Sequence, residues 1–296
     1  MRWILLLIAV NSYAQDTTVT VENKSVTLKE VVVRNNLNVA RFIDRVKNDT
    51  TFYKAFRNLR VLGYTSLNDI RILNKKNEVT ASLNSRTRQH VANGCRYTEV
   101  LEEHTTGDFH NKKSYTADMY ASLFFARDTV CGETNIVGNT AFSTQGKSGL
   151  AKHKDQLKML FFNPGKRIPG IPFIGNKVAI FDDDMAERYD FTIDMEAFKG
   201  EMCYVFTCKP RDGEKNVVVN DMTTWFRIDT WEIVARKYDL SYNAGVYDFD
   251  VHMEVEMDKF NGYLVPKLLR YNGDWDVVMK KRERAVFTAT LFDFAK

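Results

Sequence analysis

The sequence predicts an α+β protein, mostly β: a long antiparallel meander that closes into a barrel or curls round a few helices of its own. Three observations predict it. The last third reads almost entirely as strands joined by turns of a few residues, and connections that short join antiparallel neighbours. Within it, residues 247–258 alternate without a break. Tyr247, Phe249, Val251, Met253, Val255 and Met257 oppose Asp248, Asp250, His252, Glu254, Glu256 and Asp258, so one face is buried and the other wet. Finally, residues 37–60 and the centre of the chain switch to helical spacing.

Taken in order, residues 1–14 read as a secretory signal peptide. Arg2 supplies the positive start, Ile4 to Val10 the apolar run, and Ser12-Tyr13-Ala14 a small-x-small cleavage site before Gln15. The mature chain is expected in the periplasm. It carries no cysteine before Cys95, so no lipid anchor is expected just after the signal. Residues 15–36 form a polar, β-branched segment, read as one extended piece or strand. In 37–60, Val39, Phe42, Ile43 and Val46, then Phe52, Ala55, Phe56 and Leu59, fall at helical spacing. Asn48, Asp49 and Thr50 break and cap between them.

Val61–Leu73 and Glu78–Ala92 flank Asn74-Lys75-Lys76-Asn77, a hairpin signal, and Arg96–Glu102 supplies a third strand. Ser114 caps a helix over Tyr115–Arg127, and Ser148 one over Gly149–Phe162. Strands then follow at Lys177–Phe181, Tyr189–Ala197, Met202–Pro210, Val217–Asp229, Ile233–Tyr242, Val246–Asp258, Tyr263–Tyr271 and Ala285–Phe294. No internal repeat or boundary divides 37–296, which reads as one domain.

Composition narrows the function. At 296 residues the chain can bury a full core without metals or disulfides. A formal charge of +4, from 42 basic against 38 acidic residues, is too small and dispersed to argue for nucleic acid. Gly146-Lys147-Ser148 lacks the second glycine of a phosphate loop, because Ala141 stands there; no nucleotide is expected. The acidic row around His252 spaces its side chains about 6.6 Å apart, too far to share one ion. Its partners are basic neighbours such as Lys237 and Arg270. Asp182-Asp183-Asp184 lacks the spacing of a calcium loop and reads as the acidic start of a short helix. There is no HExxH, no G-x-S-x-G elbow and no paired cysteine–histidine spacing. The expectation is a non-enzymatic protein with no cofactor and no metal.

Four cysteines enter an oxidising compartment. Cys203 and Cys208 lie an odd number apart on one strand, hence on opposite faces, and are not expected to bond each other. A Cys95–Cys131 bridge and free buried thiols both remain open.

Two sets of residues carry the functional reading. Met119, Leu123, Phe124, Leu157, Leu160 and Phe161, with Trp225, are the large apolar side chains that either fill the core or line a cavity between sheet and helices. The segment 163–175 holds three of the five prolines yet is largely apolar. Ile168, Ile171, Phe173 and Ile174 are either packed over the barrel mouth or form a lid on an apolar ligand, with Lys166 and Arg167 at its rim near an anionic headgroup.

The run Met202 to Pro210, then Thr224-Trp225-Phe226-Arg227-Ile228-Asp229, then Ile233-Val234-Ala235-Arg236, resembles the strand–turn–strand run of periplasmic outer-membrane lipoprotein carriers and sorting proteins, the Lol type. The order of helices and strands over 37–294 is similar too. This resemblance implies an incomplete, strongly curved antiparallel barrel with helices on its concave side. It also implies a carrier role, with a lipid or the acyl chain of a lipoprotein between them. Leu28-Lys29-Glu30-Val31-Val32-Val33 is similar to a stretch of some outer-membrane receptors and their accessory proteins, which implies outer-membrane proteins as partners. The rival reading is an envelope structural or interaction protein whose helices fill the concavity and leave no ligand space.

Overall fold

A computed structural model describes residues 17–21, 24–28, 39–109, 114, 117, 124–126, 128–134, 160–168, 174–243, 247–277 and 282–296. The signal segment and residues 29–38 lie outside them. Thirteen strands and three helices are described: β1 (Thr17–Val21), β2 (Lys24–Leu28), α1 (Val39–Asn48), α2 (Thr51–Asn58), β3 (Gly63–Leu73), β4 (Val79–Ala92), β5 (Cys95–Gly107), β6 (Val130–Cys131), α3 (Asp183–Ala186), β7 (Tyr189–Phe198), β8 (Glu201–Pro210), β9 (Val219–Arg227), β10 (Ile233–Asn243), β11 (Tyr247–Phe260), β12 (Tyr263–Val277) and β13 (Glu283–Ala295).

Eleven of the strands form one antiparallel sheet in the order β6-β5-β4-β3-β13-β12-β11-β10-β9-β8-β7. Neighbours in the sheet are consecutive in sequence except β3–β13, where the last strand returns to join the first long one. The sheet is curved and does not close, because β6 and β7 are its two free ends. Register shifts interrupt five of its pairings. An extra residue of this kind bends a strand and raises its twist, and repetition around a sheet turns it toward a barrel.

The alternation read in 247–258 decides which side is which. Phe249, Val251, Met253, Val255 and Met257 are buried and join one core with Leu269, Tyr271 and Phe287 from β12 and β13. Outward, Arg270 reaches Glu254 and Glu256, and Lys237 reaches Glu254. His252 contacts Asp239 and Glu254. The acidic row is therefore a ladder of charge pairs on a solvated face.

Helices α1 and α2 cover the concave side. Phe42 stands among the rings of Tyr204, Phe206, Phe226 and Trp231. On α2 the buried residues are Phe52, Tyr53, Ala55, Phe56 and Asn58, and the Asn58 amide donates to the Leu264 carbonyl of β12 at 2.7 Å. Between the helices Asp49 Oδ1 accepts from the Thr51 amide and hydroxyl, which supplies the local break.

Two sequence expectations need correction. Residues 15–36 do not hold one strand: β1 and β2 pair as an antiparallel hairpin, Thr17 opposite Leu28 and Val21 opposite Lys24. Two β-branched runs separated by Glu22-Asn23 carry that signal. Residues 177–181 are a series of turns rather than a strand. The Val178 and Ala179 amides bond back to Ile174 and Asn176, so local bonds satisfy this backbone while Val178, Ala179 and Ile180 are buried. The helix expected over 115–127 is helical at Ala117 and Phe124, and the Ala117 amide donates to Ser114 Oγ at 3.1 Å, the bond of an N-cap. The helix expected over 149–162 is helical at 160–162; Ser148 lies outside the described residues.

Cys95 and Cys131 form a disulfide that ties β6 to β5. Cys203 and Cys208 are free and buried. Cys208 belongs to the concave core, whereas Cys203 does not.

Candidate functional site

Of the residues expected to line a cavity, Phe124, Leu160 and Phe161 are almost wholly buried against the concave face. The Phe161 ring stands 5.7 Å from that of Tyr271 and 5.9 Å from Trp275, edge-on or tilted. The Tyr238 hydroxyl donates to the Phe161 carbonyl. Phe162 packs edge-to-face on Phe56 at 5.1 Å, and the Tyr64 hydroxyl donates to the Phe124 carbonyl. At 160–162, then, the segment is keyed into the sheet. Met119, Leu123 and Leu157 lie outside the described residues.

Trp225 is a correction. On β9 the inward row is Met222, Thr224 and Phe226. The odd-numbered Trp225 faces the other way, packs on Phe198 at 5.1 Å and donates to Glu196. Strand alternation forbids it from sharing a face with the core.

The proline-rich loop closes on itself through the Ile168 amide and the Gly175 carbonyl. Ile168 and Ile174 are buried in the core; Ile171 and Phe173 lie outside the described residues. Gly165 has φ +84°, a conformation that favours glycine, and an added Cβ would crowd the end of the Ile180 side chain at 3.0 Å. Arg167 is exposed and makes an ion pair with Asp182.

A hollow of about 350 Å³ opens beside this loop, lined by Lys47, Arg167, Asn176, Phe181, Asp182 and Met185 among others. Phe181 is its aromatic floor, stacked on Phe191 and Phe206. The Lys166 ammonium lies 5.8 Å from the centre of the Phe181 ring. A larger hollow of about 560 Å³ spans β13, β3, β4 and β5. On its walls Asp69 is paired with Arg71, and Arg86 with Glu102.

One concave-face residue escaped sequence reasoning. Arg236 on β10 is 5% exposed. Its Nε donates to Thr224 Oγ1 at 2.9 Å, and its guanidinium lies 4.4 Å above the Phe52 ring of α2, a cation–π contact. The register shift between Ile233 and Ala235 turns it inward: Ile233 faces the core, and after the shift so do Tyr238 and Leu240. Burial pushes the guanidinium below its ordinary range, against the attraction of Asp49. The same surroundings act on Lys166: burial first, then Arg236, bring its ammonium down to about 8, with Asp49 opposing. Asp49 Oδ2 is buried without a hydrogen-bond partner. Among the described residues no group of three or more His, Cys, Asp or Glu is placed to hold a metal ion.

No family model matches the chain, and no curated protein matches it. Among solved structures it is similar to a DUF1329 family protein from Desulfovibrio piger, with 13% identity over 83% of this chain and 93% of that one and a TM-score of 0.25. It is also similar to an outer membrane lipoprotein-sorting protein domain from Vibrio parahaemolyticus, with 10% identity, 82% and 89% coverage and a TM-score of 0.26. A LolA superfamily protein from Nitrosomonas europaea follows, with 10% identity, 83% and 91% coverage and a TM-score of 0.24. At these TM-scores none of the three assigns a ligand or an activity to this chain.

Proposed function

We propose that this chain is a non-enzymatic periplasmic binding or carrier protein. It holds the apolar tail of a lipid, or the acyl chain of a lipoprotein, between its curved sheet and the segments covering the concave face. The observation that carries this reading is the open sheet. Eleven strands wrap an aromatic- and methionine-rich face, yet the ends do not pair, so the concave side is covered by separable pieces rather than by strand closure. Such pieces can lift without breaking the ladder, and each buried CH2 of a tail contributes about 0.8 kcal/mol. The hollow beside Phe181 and Met185 offers an entrance of roughly the size of small-ligand sites. Outer-membrane proteins are the proposed partners for delivery.

The contacts of Phe161 with Tyr271 and Trp275 favour a second reading, an envelope interaction protein with a filled core. Native mass spectrometry and lipid extraction of the purified protein separate the two. Co-purifying lipid, or saturable uptake of a fatty acyl probe, supports the carrier; recovery of bare protein that takes up no probe leaves the filled core.

A further inference from the structure

We infer that Arg236 and Lys166 together form an internal seat for the anionic head of an acidic single-chain amphiphile, such as a fatty-acid carboxylate or an alkyl phosphate. This rests on the carrier reading and sharpens it, because the acylated end of a lipoprotein offers no such anion to the interior. The argument begins with unmet charge. A guanidinium taken out of water is held by protein carboxylates or by something else. Arg236 has one hydrogen bond, to a neutral threonine, and an aromatic face beneath it. Among the described residues no carboxylate lies within ion-pairing distance of it or of the Lys166 ammonium, whose neighbour is the Phe181 ring.

The arrangement is positioned as well as charged. Thr224 and Phe52 fix the guanidinium plane from the sheet and from α2. Lys166 approaches from the loop over the Phe181 ring, Phe181 stacks on Phe206, and Phe206 lies opposite Thr224, the residue that Arg236 bonds. Asp49 cancels one of the two cations in charge but bonds neither, and its Oδ2 is itself unpartnered. With Lys47 also nearby and Asp182 held by Arg167, positive charge is in excess, which suits an anion. The guanidinium's remaining N–H groups form a planar donor fork matched to a carboxylate or phosphate. The hollow bordered by Lys47 and Arg167 is floored by Phe181, the ring that the Lys166 ammonium faces. The tail of such a ligand would lie along the apolar rows of β10 and β11, where Tyr238, Leu240 and Met253 are buried.

The test compares ligands of one chain length. Palmitate, hexadecyl phosphate and methyl palmitate are titrated into the purified protein and into Arg236→Met and Lys166→Met. The expected result is that either anion binds the unaltered protein at least tenfold more tightly than the methyl ester. Each substitution should remove that advantage of anion over ester. Comparing palmitate with hexadecyl phosphate assigns the head as carboxylate or phosphate. Equal binding of anion and ester to the unaltered protein, or anion binding untouched by Lys166→Met, overturns the seat while keeping the carrier. No binding of any of the three overturns both. If Arg236→Met does not fold, Lys166→Met alone decides.

Discussion

The indole N–H of Trp275 donates to the Tyr271 hydroxyl at 2.6 Å across Gly273, so that the phenol ring lies over the glycine between them. All three share the inward face of β12, and the tyrosine can lie down along the strand only because the middle position has no side chain. A Cβ on Gly273 would stand 1.9 Å from the Tyr271 hydroxyl oxygen.

Gly273→Ala is therefore expected to cost about 1–3 kcal/mol, through overpacking and loss of the indole bond. Gly200→Ala is the control for crowding: it bears the backbone strain of φ +85°, about 1 kcal/mol, but nothing stands within 4 Å of the added methyl. Denaturant midpoints give the stabilities. Trp275 fluorescence should shift in the first variant and not in the second; an unshifted, fully stable Gly273→Ala would remove this packing.

Much of the sheet was legible because its signals are local. The alternation in 247–258 and the Asn261-Gly262 turn after β11 need only neighbours in sequence to be read. What escaped depends on single-residue shifts. The irregularity between Ile233 and Ala235 reverses the facing of everything after it, so Arg236 looks like a surface residue to any strict period of two. Trp225 failed for the opposite reason: its size suggested a core role, while its parity beside Thr224 and Phe226 placed it outside. After Lys177, the short apolar run Val178-Ala179-Ile180-Phe181 has the length and character of a buried strand, and only the bonds back to Ile174 and Asn176 reveal otherwise.

Phe161 and Trp225 should separate inside from outside energetically. Phe161 is buried against Tyr271 and Trp275, so Phe161→Ala is expected to destabilise by about 3–5 kcal/mol. Trp225→Ala loses one side-chain hydrogen bond and a ring contact on the outer face, about 1 kcal/mol. Urea melts of the two variants measure the gap. Equal costs would contradict the assignment of faces.

The cysteines make a chemical prediction. The Cys95–Cys131 bridge closes a 36-residue separation, and the loop-entropy relation puts its contribution at roughly 3–4 kcal/mol. Replacing both with alanine should lower the denaturant midpoint accordingly. Titration with a thiol reagent should find neither Cys203 nor Cys208 in the native protein. Both should appear in denaturant, and burial raises both thiols above their ordinary range. Reaction of either in the native state would show that its strand opens.

Lys166 predicts how stability changes in mild alkali. Its folded-state ammonium is lowered to about 8, by burial first and Arg236 second, against 10.5 when exposed. Below pH 8 both states are protonated and the folded protein bears the whole cost of the half-buried charge. Between pH 8 and 10.5 the unfolded chain holds more protons than the folded one, so this group's contribution to stability rises with pH. Lys166→Met should accordingly be more stable than the unaltered protein at pH 7, and the difference should shrink as pH climbs through that window. A difference that stays constant with pH, or no difference at pH 7, would mean that water already solvates the ammonium. An anion seated beside it reverses the balance. With palmitate present the ammonium is stabilised, its titration moves above pH 8, and the advantage of the methionine variant at pH 7 should vanish.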